Sequence, residues 1–412
     1  MLRVWPLLLI LCLAGTGCTV SEVIVAEESD LVVAQVPVEE SRLLDVGIVE
    51  FAPGIDEDNN PRKTGVYEEI RFAETKYLAY HLKTTLQGTG HWGAVRVIPS
   101  RDAFTDIIIS GDIEKSDGEF VELAVTVEDA AGRHWFEKSY EMQTGVTSYS
   151  DRRDRRLDPY QKVFNDIAND LYTFASQLPP KQLQQTRQIS ELKFFADMSP
   201  LAYGNHLAED DDGIATIVRL PAENDPTVDR LRQIRERDRL VVDTLNEHYA
   251  NFYYGIAIPY RNWRKVTRQE SVAFRQVKRS ARIQTLVGVV FLAGSLAAET
   301  VNSSSSRQRR VNRSLQNLGI AEGFNRIVGG FQRGSEAESH VSAIAELSES
   351  FGAQAAPMVV SVEGQERRLT GTAQAQYEGW RRLLREIYQA ETGFTQSIDV
   401  GVPARTNENT VN

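Results

Sequence analysis

Cysteine is nearly missing from this 412-residue chain: there are 2, Cys12 and Cys18, both at its very start. With none after Cys18, no disulfide framework holds the rest together and no thiol is available there as a nucleophile. Histidine is scarce, 6 in all (His81, His91, His134, His206, His248 and His340), and none forms an HExxH pair. No serine sits in GxSxG, there is no Walker loop, and no GxGxxG follows a strand, so the usual sequence routes to hydrolysis and nucleotide binding are thin. No cofactor, metal or catalytic residue is expected. Carboxylate pairs leave no spacing rule, which keeps a cell-wall hydrolase open as one alternative. Apolar runs are short, none reaching the ~20 residues of a membrane-spanning helix. The formal net charge of −11 argues against nucleic acid as a partner.

What is present begins with an address. Arg3 precedes an apolar run, Val4–Leu13, and then small residues, Ala14–Gly17. That is the layout of a secretory signal over residues 1–17. Cleavage before Cys18 would leave an N-terminal cysteine. The segment "LAGTGC" resembles the lipobox of bacterial lipoproteins in its small residues before Cys18, with Gly15 where leucine is usual. The resemblance implies lipid attachment at Cys18 and a protein facing the periplasm. Thr19, in place of an aspartate after the cysteine, points to the outer membrane. Ordinary signal-peptidase cleavage nearby, with Cys18 left as a spare thiol, is the competing reading.

Residues 18–40 read as an acidic tether leading into an edge strand. Organisation starts at "LLDVGIVEFAPG", where Val46, Ile48 and Val49 form a buried strand closed by Pro53-Gly54. Tyr67–Gln87 reads as a helix with Leu78, Leu82 and Leu86 along one face. "GAVRVIPS" is the next strand. Asp117-Gly118 is a hairpin turn, and Val121, Leu123, Val125 and Val127 alternate with Glu122, Ala124 and Thr126, the period of a half-buried antiparallel strand. Ala131-Gly132 turns the chain into "HWFEKSYEM", and a helix over Pro159–Leu178 follows.

This β-α-β-β-β-β-α order over residues 41–178 resembles a periplasmic α/β domain of envelope proteins. That domain recurs in the curli secretion lipoprotein, the amino-terminal domain of the Tol-system propeller protein, and the lipoprotein activators of penicillin-binding proteins. "VGIVEF" and "DIIISGDIEKSDGEFVELAVTVEDAAG" carry the resemblance, which covers about a third of the chain. It implies a domain that binds partners and oligomerises and does no chemistry.

Pro179-Pro180 marks a boundary, and residues 181–395 read as mainly helical, giving an α+β chain overall. Asp225 and Pro226 make an N-cap and N1 pair for a helix to Phe252, with Leu231, Ile234, Val241, Leu245 and Phe252 on one seam. Asp238 and His248 share that seam but lie roughly 15 Å apart along it, too far to share a proton or metal. "YGNHLAEDDDG" sets His206 beside four acids, whose continuous run suits a solvated loop better than a calcium site. A helix at Glu336–Phe351, a short strand at Met358–Val362 and a helix at Thr372–Glu391 close the array. Residues 400–412 read as a disordered tail.

One segment invites a sharper expectation. Arg261, Arg264, Lys265, Arg268, Arg275, Lys278, Arg279 and Arg282 precede the apolar run Ile283–Ala298, and Arg307, Arg309, Arg310 and Arg313 follow it. A hairpin over 283–331 turning at "NSSSS", packed through Gly288 and Gly294 on one arm and Gly319 and Gly323 on the other, would contact an anionic membrane surface or another copy of the chain. The competing reading is a core helix flanked by solvated arginines. The expected function is a non-catalytic, lipid-anchored periplasmic adaptor or assembly factor for an envelope protein partner. An oligomeric secretion or pore component is the alternative, against which stands the lack of long alternating pore strands.

Overall fold

The computed structural model describes residues 29–55, 66–145, 147–150, 157–296, 342, 345–346, 358–362 and 365–392, with the backbone course alone at 270 and over 273–296, 358–362 and 365–366. Its centre is a five-stranded sheet in the order β2-β1-β3-β4-β5: β1 Val46–Val49, β2 Val95–Ile98, β3 Ile107–Ser116, β4 Phe120–Asp129 and β5 His134–Gln143. β1 runs parallel to both neighbours, with Val46 opposite Val95 on one side and Ile107 on the other, and β3, β4 and β5 form an antiparallel meander. Alternation on β4 holds as the sequence indicates: Val121, Leu123, Val125 and Val127 are buried, and the residues between them are half exposed.

Helices α1 (Glu68–Thr89) and α2 (Gln161–Gln177) pack on this sheet and on each other. Leu78, Leu82 and Leu86 are fully buried on α1, and Val163, Phe164, Ile167 and Leu171 on α2. The chain therefore has the α+β class and the element order expected of it. The N-terminal arm differs. No edge strand forms among residues 29–40; the arm is held by side chains of α2 instead. Asn169 accepts from the Val32 amide at 2.9 Å and donates to the Asp30 carbonyl, Asn165 donates to the Ser29 carbonyl, and the Ala34 amide reaches the Thr89 carbonyl at the end of α1. The β-prone valines of this arm stay largely exposed, so the sheet offers them no apolar partner.

Beyond Pro179 come α3 (Pro180–Met198), a small hairpin of β6 (Leu207–Glu209) and β7 (Ala215–Ile217), and α4, which runs from Pro226 to Leu296. The hairpin of β8 (Met358–Val362) and β9 (Gln365–Leu369) and the helix α5 (Ala373–Thr392) follow. Asp225 caps α4 as expected, accepting from the Thr227 amide at 2.9 Å, with Pro226 at the first helical position. The helix does not stop at Phe252. Its buried seam continues through Ile256, Tyr260 and Trp263, and that burial outweighs the ~3 kcal/mol cost of Pro259 inside the helix.

The change from mixed to helical structure falls at Pro179-Pro180, but the core does not break there. Leu231, Leu245, Tyr249 and Trp263 of α4 and Trp380 and Leu384 of α5 belong to one apolar cluster with Ile48, Leu82 and Val125. α4 also closes an edge of the sheet. The Asn246 side chain accepts from the Val97 amide at 2.8 Å and donates to the Val97 carbonyl at 3.0 Å, standing in for the strand that β2 lacks.

Replacing Asn246 by Ala leaves both Val97 groups without these partners under α4. We expect a loss of about 1–3 kcal/mol in urea unfolding with an unchanged denaturant slope.

Candidate functional site

Two polar assemblies occupy this frame, one sealed and one open. The sealed one fixes α4. Arg264, which the sequence groups with surface cations, is fully buried, and its two terminal nitrogens donate to the two Asp158 carboxylate oxygens at 2.8 Å each. Its guanidinium lies 4.1 Å from the Tyr260 ring centroid and 4.6 Å from that of Tyr160. Burial alone would raise the Asp158 carboxyl, but the Arg264 charge and its hydrogen bonds outweigh burial and hold it below the usual carboxylate range. Next to this pair Glu74 accepts from Ser116 at 2.5 Å and from Tyr260 at 2.6 Å, with Arg71 at 3.2 Å. Burial wins there and the Glu74 carboxyl is pushed up. His81, between Tyr253 at 2.8 Å and Gln161 at 3.0 Å, is held down by burial and stays neutral at pH 7.

The turn that expectation placed at Asp117-Gly118 completes this lock. Gly118 has φ +79°, and a Cβ there would run into the Arg264 carbonyl, so only glycine allows the hairpin tip to touch α4. Among the described residues the assembly is a buried clamp.

The open assembly is a cleft of about 730 Å³. Its walls are α3, α5, the β2–β3 connection and the β4–β5 turn. Arg381 anchors it: the buried guanidinium donates to Asp197 at 2.5 Å, stacks 4.4 Å from the Phe104 ring centroid, and keeps a buried Nε with no hydrogen bond. Arg385 reaches the same Asp197 carboxylate at 3.3 Å. Behind Arg381 lies Asp238, which the apolar seam of α4 carries to face α5, where Tyr377 donates to it at 3.4 Å. Burial raises the Asp238 carboxyl to about 6, against the opposing pull of Arg381, Tyr377, Trp380 and Arg235. A carboxyl poised near neutrality beside a cleft is a frequent mark of function. Asp238 does not line the cleft, however, so it acts on Arg381 and not on a ligand.

The other sequence candidates are dispersed. His248 is half-buried and lies ten residues further along α4, and burial lowers it. The His206 ring lies 3.0 Å from the Arg219 carbonyl, while Asp210 closes the β6–β7 turn by accepting from the Asp212 and Ile214 amides. Among the described residues no group of three His, Cys, Asp or Glu side chains could hold a metal. Gly88, Gly90 and Gly93 have dinucleotide-loop spacing, but Gly88 lies in the last turn of α1 and the run leads into β2, the reverse of the order that cradles a phosphate. Gly288 and Gly294 fall on α4, whereas Cys18, Gly319, Gly323, the "NSSSS" turn, the signal segment 1–17 and the tail 400–412 lie outside the described residues, as does most of Glu336–Phe351. Among the described residues no helix is long and apolar enough to cross a membrane.

Compared with known proteins, the chain matches no family model and no curated protein. Among solved structures it is similar to a PelC dodecamer variant from Paraburkholderia phytofirmans, at 16% identity over 39% of this chain and 98% of that one, with a TM-score of 0.16. At that score the likeness carries no argument about fold or function.

Two measurements probe these assemblies. Arg264→Met leaves Asp158 buried and unpaired and should cost about 3–5 kcal/mol, of which a second change, Asp158→Asn, should restore a part in a double-mutant cycle. For Asp238 the folded value lies above the unfolded one, so folding takes up a proton between about pH 4 and 6. Its contribution to stability is present below pH 4 and is lost as pH rises through about 6. Asp238→Asn should therefore gain on the wild type, by up to ~3 kcal/mol, in unfolding titrations taken from pH 4 to 7.

Proposed function

We propose that this protein is a non-catalytic adaptor or assembly factor of the bacterial envelope, anchored by lipid on Cys18 to the periplasmic face of the outer membrane and holding a protein partner. The observation that carries this reading is the antiparallel seating of α4 on α1. Tyr260 meets Glu74 near the start of α1, and Tyr253 meets His81 farther along it. The N-terminal arm is described from Ser29, held by Asn165 on α2, to Ala34, which bonds Thr89 at the end of α1, while α4 runs on past its contact between Arg268 and Thr144 to Leu296. The stretch of α4 beyond Arg268 is roughly 40 Å long.

On this reading a chain tethered by its N-terminus presents the end of α4, with its basic and apolar sequence, as a projecting arm. That reach suits a tethered adaptor meeting a partner. The same reach suits a second copy of the chain, which keeps the oligomeric secretion component as the alternative.

Two outcomes are expected. Cys18→Ser should move the protein from the membrane to the soluble periplasmic fraction. Light scattering of the detergent-extracted wild type should give a monomer or small complex with a co-purifying protein; a ring-sized homo-oligomer would replace the adaptor reading with the secretion one.

A further inference from the structure

We infer that a second cavity, beside the last turn of α5, is the seat of the chain's own next segment, Gly393–Ile398, with Phe394 in it. The inference goes beyond the adaptor reading and does not rest on it. The cavity, of about 550 Å³, lies between the turn Pro200–Tyr203, the stretch leading from β7 to α4, the first residues of α4 and the end of α5. Its mouth is apolar and uncovered: Leu201 is 89% exposed and Leu220 54%. Large aliphatic side chains left bare around a cavity mark a contact surface. The charges in the wall do not call for an ionic ligand. They are one cation, Arg219, and one carboxylate, Asp225, and Asp225 already accepts from the Thr227 amide at 2.9 Å and the Tyr203 hydroxyl at 3.3 Å. The His206 ring is turned to the Arg219 carbonyl at 3.0 Å. An uncharged, apolar occupant suits this wall.

The course of the chain after α5 supplies it. Arg230 donates to the Glu391 carbonyl at 2.7 Å and Arg237 to the Glu391 carboxylate at 3.3 Å, so the last turn of α5 is fixed on the first turns of α4. Tyr388 and Gln389 line the cavity, and the helix ends one turn later, at Thr392. The residues that follow, "GFTQSI", carry no charge and begin with Gly393 and Phe394. A glycine just past a helix end takes the left-handed conformation and turns the chain back. The apolar residue after it then packs on the side chains three and four positions before the last helical residue. Counted from Thr392, those are Gln389 and Tyr388, both in the cavity wall. α1 shows the same count within this protein. It ends Thr89-Gly90, Gly90 has φ +69°, and the Gly90 amide bonds the Gln87 carbonyl, the bond that defines this kind of stop. Repeated at the end of α5, the turn delivers Phe394 to the cavity.

The test is hydrogen–deuterium exchange, read by mass spectrometry on the full mature protein in detergent. The amides of residues 394–398 should exchange about tenfold or more slowly than those of an unstructured chain of the same sequence. Phe394→Ser should abolish that protection and speed exchange over residues 199–206, the wall that loses its cover. Leu201→Glu, at an exposed position on the mouth, should abolish it from the other side of the contact. Ile258→Glu, at an exposed apolar position elsewhere on α4, should leave it intact. Unchanged exchange over β4 checks that each variant keeps the fold. Exchange of 394–398 at the unstructured rate in the wild type would overturn the inference. Protection that survives Leu201→Glu would overturn it too, since the segment would then be seated elsewhere. Protection that falls on dilution would give the cavity to the segment of a second copy and remove the seat within one chain.

Discussion

A guanidinium with no access to water must be given its counter-charge by the fold, and in this protein the pairing of Arg264 with Asp158 decides where everything after residue 225 can sit. The desolvation penalty on two buried ions is several kcal/mol each, so the pair is weak evidence for stability but strong evidence for position. A slip of α4 by one residue would rotate Arg264 by about 100° and leave Asp158 charged and alone. The tyrosines around the pair stiffen the choice: Tyr77 donates to Asp158, and Tyr160 and Tyr260 flank the guanidinium. Since Tyr160 also binds the Gly118 amide, the hairpin tip, α2 and α4 meet at one point.

From that point the rest follows in sequence. With α4 fixed against α1, its preceding turns come to lie along β2, where Asn246 occupies the open edge, and Arg96 meets Asp243. Further back, Asp238 and Arg235 face α5 and α3, so these two helices close on α4 and leave the cleft between them. The cleft is thus a by-product of the clamp's geometry, set more than 20 residues away along the same helix. Its charges accordingly sit on four separate stretches of chain.

The sheet was legible because its signals are local. Period-2 alternation on β4, the Asp117-Gly118 turn and the leucine face of α1 each need only a window of about ten residues, and each fell where the pattern put it. What was hidden depends on partners far away in sequence. Arg264 lies 106 residues from Asp158, and Asn246 lies 149 from Val97. In a run of cations nothing marks Arg264 as the buried one except the continuation of the seam, through Tyr249, Phe252, Ile256 and Tyr260, past a proline that reads as a stop. The N-terminal arm was misread for a related reason. Its valines carry strand propensity, but propensity on an edge yields to whichever neighbours offer hydrogen bonds, here Asn165 and Asn169.

The polar members of α4's seam explain why one helix can organise so much. An apolar seam with a 3–4 spacing repeats itself, and a helix carrying only leucines could shift by a turn at little cost. This seam does not repeat. Arg235 donates to Ser190 of α3, Asp238 accepts from Tyr377 of α5, Asn246 holds β2, Tyr249 donates to Glu50, Tyr260 to Glu74, and Arg264 pairs with Asp158. Each partner differs in chemistry, so any shifted register strands several buried donors and acceptors at once, each at about 1–3 kcal/mol. The aliphatic residues supply the burial, and the polar ones favour the single alignment of α4 in which these six pairings form together.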